Sequence, residues 1–271
     1  RMKNSYLWRR ENHPGRLTPP RTTLPWRTLG PLLLLILWQA STLAGWTDSM
    51  TLPSPGQVLA TFVRLVNDGR LIPGIEVSAW RSLTALVAGT LTGLVLALIS
   101  GLSRWGESLI DGPMQIKRSI PTLAMIPLFI VWLGIGEATK ITIIMFSVII
   151  PVYINTHAAV RGVDERYVEL AETLKISRLT FIRRIILPGA MPGFFTGLRL
   201  AVAHSWTSLV VVEQINATSG IGYLMTRARA YGQTDIIMVG LVLYALFGLF
   251  SDGLVRMAER RVLSWRKSLG S

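Results

Sequence analysis

The sequence has no cysteine, so a disulfide framework and thiolate chemistry are both excluded. Only three histidines occur (His13, His157 and His204), and they are too far apart in sequence to form a local zinc motif. Charge is also scarce: 16% of residues are Asp, Glu, Lys or Arg, whereas soluble domains carry about a quarter. The five lysines follow Met, Ile, Thr, Leu and Arg. A glycine-rich phosphate cradle ending in Gly-Lys-Ser/Thr is therefore missing, which excludes a nucleotide-hydrolysing site of that kind in this chain. No Ser/His/Asp spacing or paired carboxylate set points to an enzyme, because the carboxylates cluster in loops. No catalytic residue, metal site or cofactor is expected in this chain.

What the chain has in quantity is apolar surface. Half of the 271 residues are hydrophobic, and the mean hydropathy is +0.45. A spanning helix needs about 20 mostly apolar residues to cross about 30 Å of hydrocarbon. Six stretches qualify: 29–46, 82–103, 119–136, 141–160, 191–212 and 236–254. The net charge of +13 raises the possibility of nucleic-acid binding, but the basic residues form no single stripe. Seven lie in the first 27 residues, five in the last 16, and most of the others between apolar runs. That is the distribution that orients a membrane chain, and with the amino terminus inside, 21 basic residues fall on the cytoplasmic side against five outside. This count puts Lys117 in a cytoplasmic connection and both tails, 1–28 and 264–271, in the cytoplasm. The proline-broken first tail lacks the apolar segment of a signal peptide. The expectation is an all-α polytopic membrane protein with six transmembrane helices. The segment 52–74, with prolines at the start of a helix amphipathic through Val58, Leu59, Phe62, Val63 and Val66, is placed on the outer membrane surface, with an ordinary amphipathic connector as the alternative.

One polar insert, 161–190, interrupts the apolar pattern and carries six basic residues. Asp164 is positioned to cap a helix over 165–174, with Tyr167, Leu170, Ala171 and Leu174 on one side. Ser177 is positioned to cap a second helix, which Pro188 is expected to end. Helices this short are marginal without packing, so they need a surface to rest on.

The spacing Glu169, Ala171, Lys175, Ile185, Leu187, Pro188 resembles the EAA loop of permease subunits of bacterial ABC importers. LPSP (52–55), SGLSRWGE (100–107), AMIPLFIVWLGIGEATKI (124–141), PVYINT (151–156), GLRLAVAHSWTSLVVVE (197–213) and SGIGYLM (219–225) are similar to the nitrate, sulfonate and taurine branch, and most similar to aliphatic sulfonate permeases. The resemblance implies a type I importer permease fold (MetI-like) in the bacterial inner membrane, working as a pair of copies. It implies cytoplasmic ATPase subunits that bind ATP and Mg and grip 161–190 as a coupling helix, and an extracytoplasmic solute-binding protein. The implied cargo is a small organic anion, an aliphatic sulfonate or taurine-like; nitrate or another small solute is the alternative, and a stand-alone secondary transporter is the rival class. Lys175 stands where that family has glycine. If the position requires a left-handed backbone, lysine costs roughly 1–2 kcal/mol there.

Ionisable and polar residues inside spans are candidates for the translocation pathway. Arg199 either faces an anion or pairs with a carboxylate. His204, Ser205, Thr207 and Ser208 form a polar patch near mid-membrane that either lines the route or bonds a neighbouring helix. Pro121 and Pro127 break the third span, which either lines the pathway or carries a packing kink without contact to solute. Glu213 is a candidate for an outer gate, a binding-protein contact or a plain interfacial carboxylate.

Overall fold

The computed structural model describes residues 24–48 and 50–265, and every regular element among them is helical. The predicted basic tail lies outside the described residues up to residue 23, as does the second tail from residue 266 onward. In chain order the helices are α1 (Leu24–Leu43), α2 (Pro55–Asn67), α3 (Leu71–Leu102), α4 (Arg104–Ser119), α5 (Ile126–Leu133), α6 (Glu137–Arg161), α7 (Glu165–Thr173), α8 (Arg178–Phe181), α9 (Leu187–Asn216), α10 (Ile221–Ala230) and α11 (Thr234–Val262). Of these, α3, α6, α11 and a continuous Arg178–Ile215 helix are long and apolar enough to cross a membrane. The pair α4 and α5 makes a fifth crossing only as a broken span, bent by 92°, and the apolar part of α1, Leu29–Leu43, is shorter than the others.

The most buried span is α6, packed between α3 and α9. Small residues make this possible. A Cβ on Gly93 would sit 2.8 Å from the Ile149 carbonyl, and one on Gly197 2.7 Å from that of Pro151, so only glycine lets these backbones approach so closely. The buried face of α3 repeats Ser82, Ala85, Gly89, Gly93, Ala97 and Ser100 at three- and four-residue intervals. The helix also starts eleven residues before the apolar run that predicts it. Leu71, Gly74, Ser78 and Arg81 continue the same buried stripe, so tertiary contact extends the helix beyond its hydrophobic stretch.

Short-range chemistry sets the other helix ends. Ser54 and Gln57 form a reciprocal capping box at the start of α2, whose Val58, Thr61 and Leu65 are buried. Helix α2 packs on α11 and leaves a cleft of about 310 Å³ lined by Trp38, Val58, Phe62 and Leu243, among others. Pro121 stands just before a 3-10 turn over Thr122–Met125, and Pro127 sits in the first turn of α5, where a missing N–H costs nothing. Residues 119–136 are thus divided between the end of α4, this turn and α5, as the two prolines require.

Pro188 does not end a helix. The chain turns through a π segment, Ile182–Ile186, in which the Leu187 N–H reaches back five residues to the Ile182 carbonyl. It then continues into α9 with helical backbone angles at both junctions. The wider turn shifts the carbonyl that the proline ring would strike, so α8, the π turn and α9 form one rod.

Candidate functional site

At the Glu137 end of the spans lies a buried ionic network that the sequence does not announce. Arg81 on α3 has no exposed surface and uses all five guanidinium N–H groups. Nε and Nη2 donate to the two Glu137 carboxylate oxygens at 2.6 and 2.7 Å. Nη1 donates to Glu213 Oε1 at 2.6 Å and to the Ser219 carbonyl at 2.7 Å, and Nη2 also reaches Ser219 Oγ at 3.1 Å. Lys140 adds a second cation on Glu137 at 2.7 Å. Two carboxylates therefore balance two cations.

Glu213 is fully buried. It accepts from Ser78 Oγ at 2.8 Å, Tyr244 Oη at 2.9 Å and the Gly222 amide at 2.9 Å. The Ile221 amide donates to Ser78 Oγ at 2.9 Å, so the amino-terminal end of α10 points at the carboxylate, where the helix dipole favours negative charge. Glycine is needed for that approach. Gly220 has φ +111°, and a Cβ there would collide with the Glu213 carboxylate; one on Gly222 would lie 2.5 Å from Glu213 Cβ. The SGIG stretch (219–222) is thus a seat for Glu213. This position closes Glu213 off from any soluble partner, so the binding-protein contact considered for it does not fit. The network joins α3, α6, α9, α10 and α11. Sequence reasoning missed Arg81, Ser78, Glu137 and Tyr244, although an arginine at the head of an uncharged run and a carboxylate ending an apolar one were visible signals.

The mid-height polar patch divides into two faces. Ser205 is buried against Ser82 on α3 at 2.8 Å, and Ser208 is buried against Ser147 on α6 at 2.7 Å. Both hydroxyls join helices and do not line an open surface. His204 and Thr207 lie on the exposed side of α9, together with Thr196 and Gln214. Arg199 Nε is 3.1 Å from Asp252 Oδ1, whose other oxygen takes Arg256 at 2.6 Å. Arg199 thus shares one carboxylate with a second arginine. Lys117, assigned by the charge count to a loop, instead sits beside the bend between α4 and α5. Its Nζ donates to the Phe146 carbonyl at 2.7 Å and to Thr122 Oγ1 at 2.8 Å. The bend folds the end of α4 back against the middle of α6, which moves Lys117 away from the span ends.

At the opposite end, Asp164 and Ser177 cap α7 and α8 as their positions predict. Helix α7 ends with two return bonds, Lys175 N–H to the Glu172 carbonyl at 3.0 Å and Ile176 N–H to the Ala171 carbonyl at 2.9 Å, the pattern of a Schellman stop. Lys175 has φ +51°, and among the described residues no other non-glycine has a positive φ. Ala171 is buried beside Gly101 and Leu102, while Tyr167, Leu170 and Leu174 on the adjoining face of α7 are more than half exposed. Glu169 is exposed beside them, and Ile185, Leu187 and Pro188 are half-buried where the loop rejoins the bundle. Arg178 donates to the Leu102 carbonyl at 3.1 Å and so ties the loop to the end of α3. Among the described residues no cluster of three or more His, Asp or Glu could hold a metal ion.

This architecture has known counterparts. SsuC of Escherichia coli strain K12, named for aliphatic sulfonates transport, is 41% identical over 87% of this chain and 89% of its own. SsuC of Bacillus subtilis strain 168, similarly named, is 34% identical over 93% and 92%. The taurine transport system permease TauC of E. coli strain K12 is 32% identical over 86% of each chain. A crystal structure of an amino acid ABC transporter superposes with a TM-score of 0.61 over 75% of this chain and 96% of its own, at 17% identity, which shows a shared fold. Residues 89–264 match the family of binding-protein-dependent transport system inner membrane components. The chain belongs to that family: it is a multi-pass inner-membrane permease subunit of an ABC importer and not an enzyme.

Proposed function

We propose that this permease carries a small organic anion, an aliphatic sulfonate or taurine-like solute, from an extracytoplasmic binding protein into the cytoplasm. Two copies form the route, each with six spans and both termini cytoplasmic. Separate ATPase subunits, which hold ATP and Mg, supply the energy through 161–190. The observation that carries this reading is the exposed apolar ridge of Tyr167, Leu170 and Leu174 on a helix too short to stand alone. The insert that carries it is fastened to the spans through Ala171, Arg178 and the unbroken rod into α9. A partner seated on that ridge moves the spans with it, which is what a coupling element must do. The names of the similar permeases support an anionic cargo.

The test is reconstitution. Vesicles containing the permease with its ATPase and binding protein should accumulate labelled ethanesulfonate only when ATP is supplied on the ATPase side. Vesicles with the permease alone should accumulate none. Uptake by the permease alone would refute the motor-driven reading, and uptake of nitrate without sulfonate would replace the cargo.

A further inference from the structure

Lys117 is a half-buried cation beside the α4–α5 bend that, among the described residues, has no carboxylate within ion-pair distance. Arg81 and Lys140 are neutralised by Glu137 and Glu213, and Arg199 pairs with Asp252, which it shares with Arg256. Lys117 has only the neutral Phe146 carbonyl, Thr122 Oγ1 and the Phe146 ring, 5.9 Å from its Nζ. An ammonium has three donors, so two are used and one remains.

Its depth is fixed by Phe146, nine residues from Glu137 and fifteen from Arg161 along α6, about 14 Å and 22 Å at the helical rise. The ammonium therefore lies near the middle of the span, half-buried beside the bend. An unpaired charge there is expensive, and such charges by default mark ion or substrate routes. The exposed side of α9 supports the same location. His204 and Gln214 lie along it among Leu200, Ala203 and Ile215, and hydrocarbon is a poor environment for an imidazole and an amide; the hydroxyls of Thr196 and Thr207 on the same face bond their own helix backbone. Phe146, whose carbonyl holds the ammonium, packs in one apolar cluster with Ile126 and Phe129 of α5 and Val211 and Val212 of α9.

We propose that Lys117 is a specificity-determining residue of the translocation route. Its free N–H donates to an oxygen of the anionic head group as the solute passes between the α4–α5 bend and the exposed face of α9. This rests on the anion importer proposed above and adds to it the residue that meets the charge. Arg199, the sequence-based candidate for that task, is occupied by Asp252.

The experiment uses the complete transporter in vesicles and labelled ethanesulfonate. Because the chain has no cysteine, Lys117→Cys gives one modifiable site in the permease, which is treated before the complex is assembled. The half-saturating sulfonate concentration should rise about tenfold or more, the worth of a charge-assisted hydrogen bond. Aminoethylation, which restores an ammonium of nearly lysine length, should recover uptake, and neutral methylthiolation should not. Thr122→Val removes one bond to the ammonium and keeps its charge, so it should retain uptake within about threefold. Equal recovery by both thiol reagents, or a loss in Thr122→Val as large as in Lys117→Cys, would assign Lys117 to holding the bend and overturn the inference. Wild-type uptake with an unaltered Lys117→Cys overturns this inference alone. Absence of sulfonate uptake by the wild type overturns the function itself and this inference with it.

Discussion

Replacing Lys175 with glycine should tighten the loop at 161–190. Lys175 occupies the left-handed position of the turn that ends α7, at φ +51°, held by return bonds from its own amide and from that of Ile176. An L-residue pays roughly 1–2 kcal/mol for that conformation. Glycine pays none, but it gives back roughly 0.4–1 kcal/mol through the greater freedom of the opened chain. The net gain is about 1 kcal/mol, or about fivefold in a local opening equilibrium. Amide hydrogen exchange on the full chain in micelles reads this directly: exchange at residues 175 and 176 should slow about fivefold in Lys175→Gly. Lys175→Asn should fall between the two, since asparagine tolerates the left-handed region, and Lys175→Val should exchange faster than wild type. Equal exchange in all four proteins, or faster exchange in the glycine variant, would refute the claim that backbone strain at this position governs the loop.

The other predictions concern packing, charge and docking. Glu213→Gln should destabilise the bundle by about 3 kcal/mol, the cost of breaking a buried ion pair from one side, seen as earlier thermal unfolding in detergent. Glu137→Gln should cost less, since that side chain is 54% exposed and water reaches it; equal losses would contradict the network described. Gly197→Ala places a Cβ 2.7 Å from the Pro151 carbonyl and should cost about 1–3 kcal/mol by overpacking. Gly248→Ala, where nothing lies within 4 Å, should gain up to about 1 kcal/mol of helix propensity, and the two unfolding temperatures should move in opposite directions. Leu170→Asp should leave thermal unfolding unchanged and abolish co-purification of an ATPase, and retained co-purification would remove the ridge from the coupling surface.

The membrane class, the presence of most apolar runs and the caps at Asp164 and Ser177 were legible in the chain alone, while the left-handed position at Lys175 was suggested by the glycine of the similar family. Each depends on residues within a few positions of one another, or on the length of a run measured against the thickness of a bilayer. The similarity of the EAA spacing likewise needed only linear order. Tertiary structure decided the rest. It joined Arg81 to Glu137 and Glu213, 56 and 132 residues away, sent Ser205 and Ser208 into helix contacts, and carried Pro188 through a π turn instead of ending a helix. It also drew Lys117 out of an apparent surface loop to the middle of α6. In a membrane every buried polar group must find its partner inside the protein. Which partner it finds is set by the packing of helices distant in sequence, where local pattern carries no information.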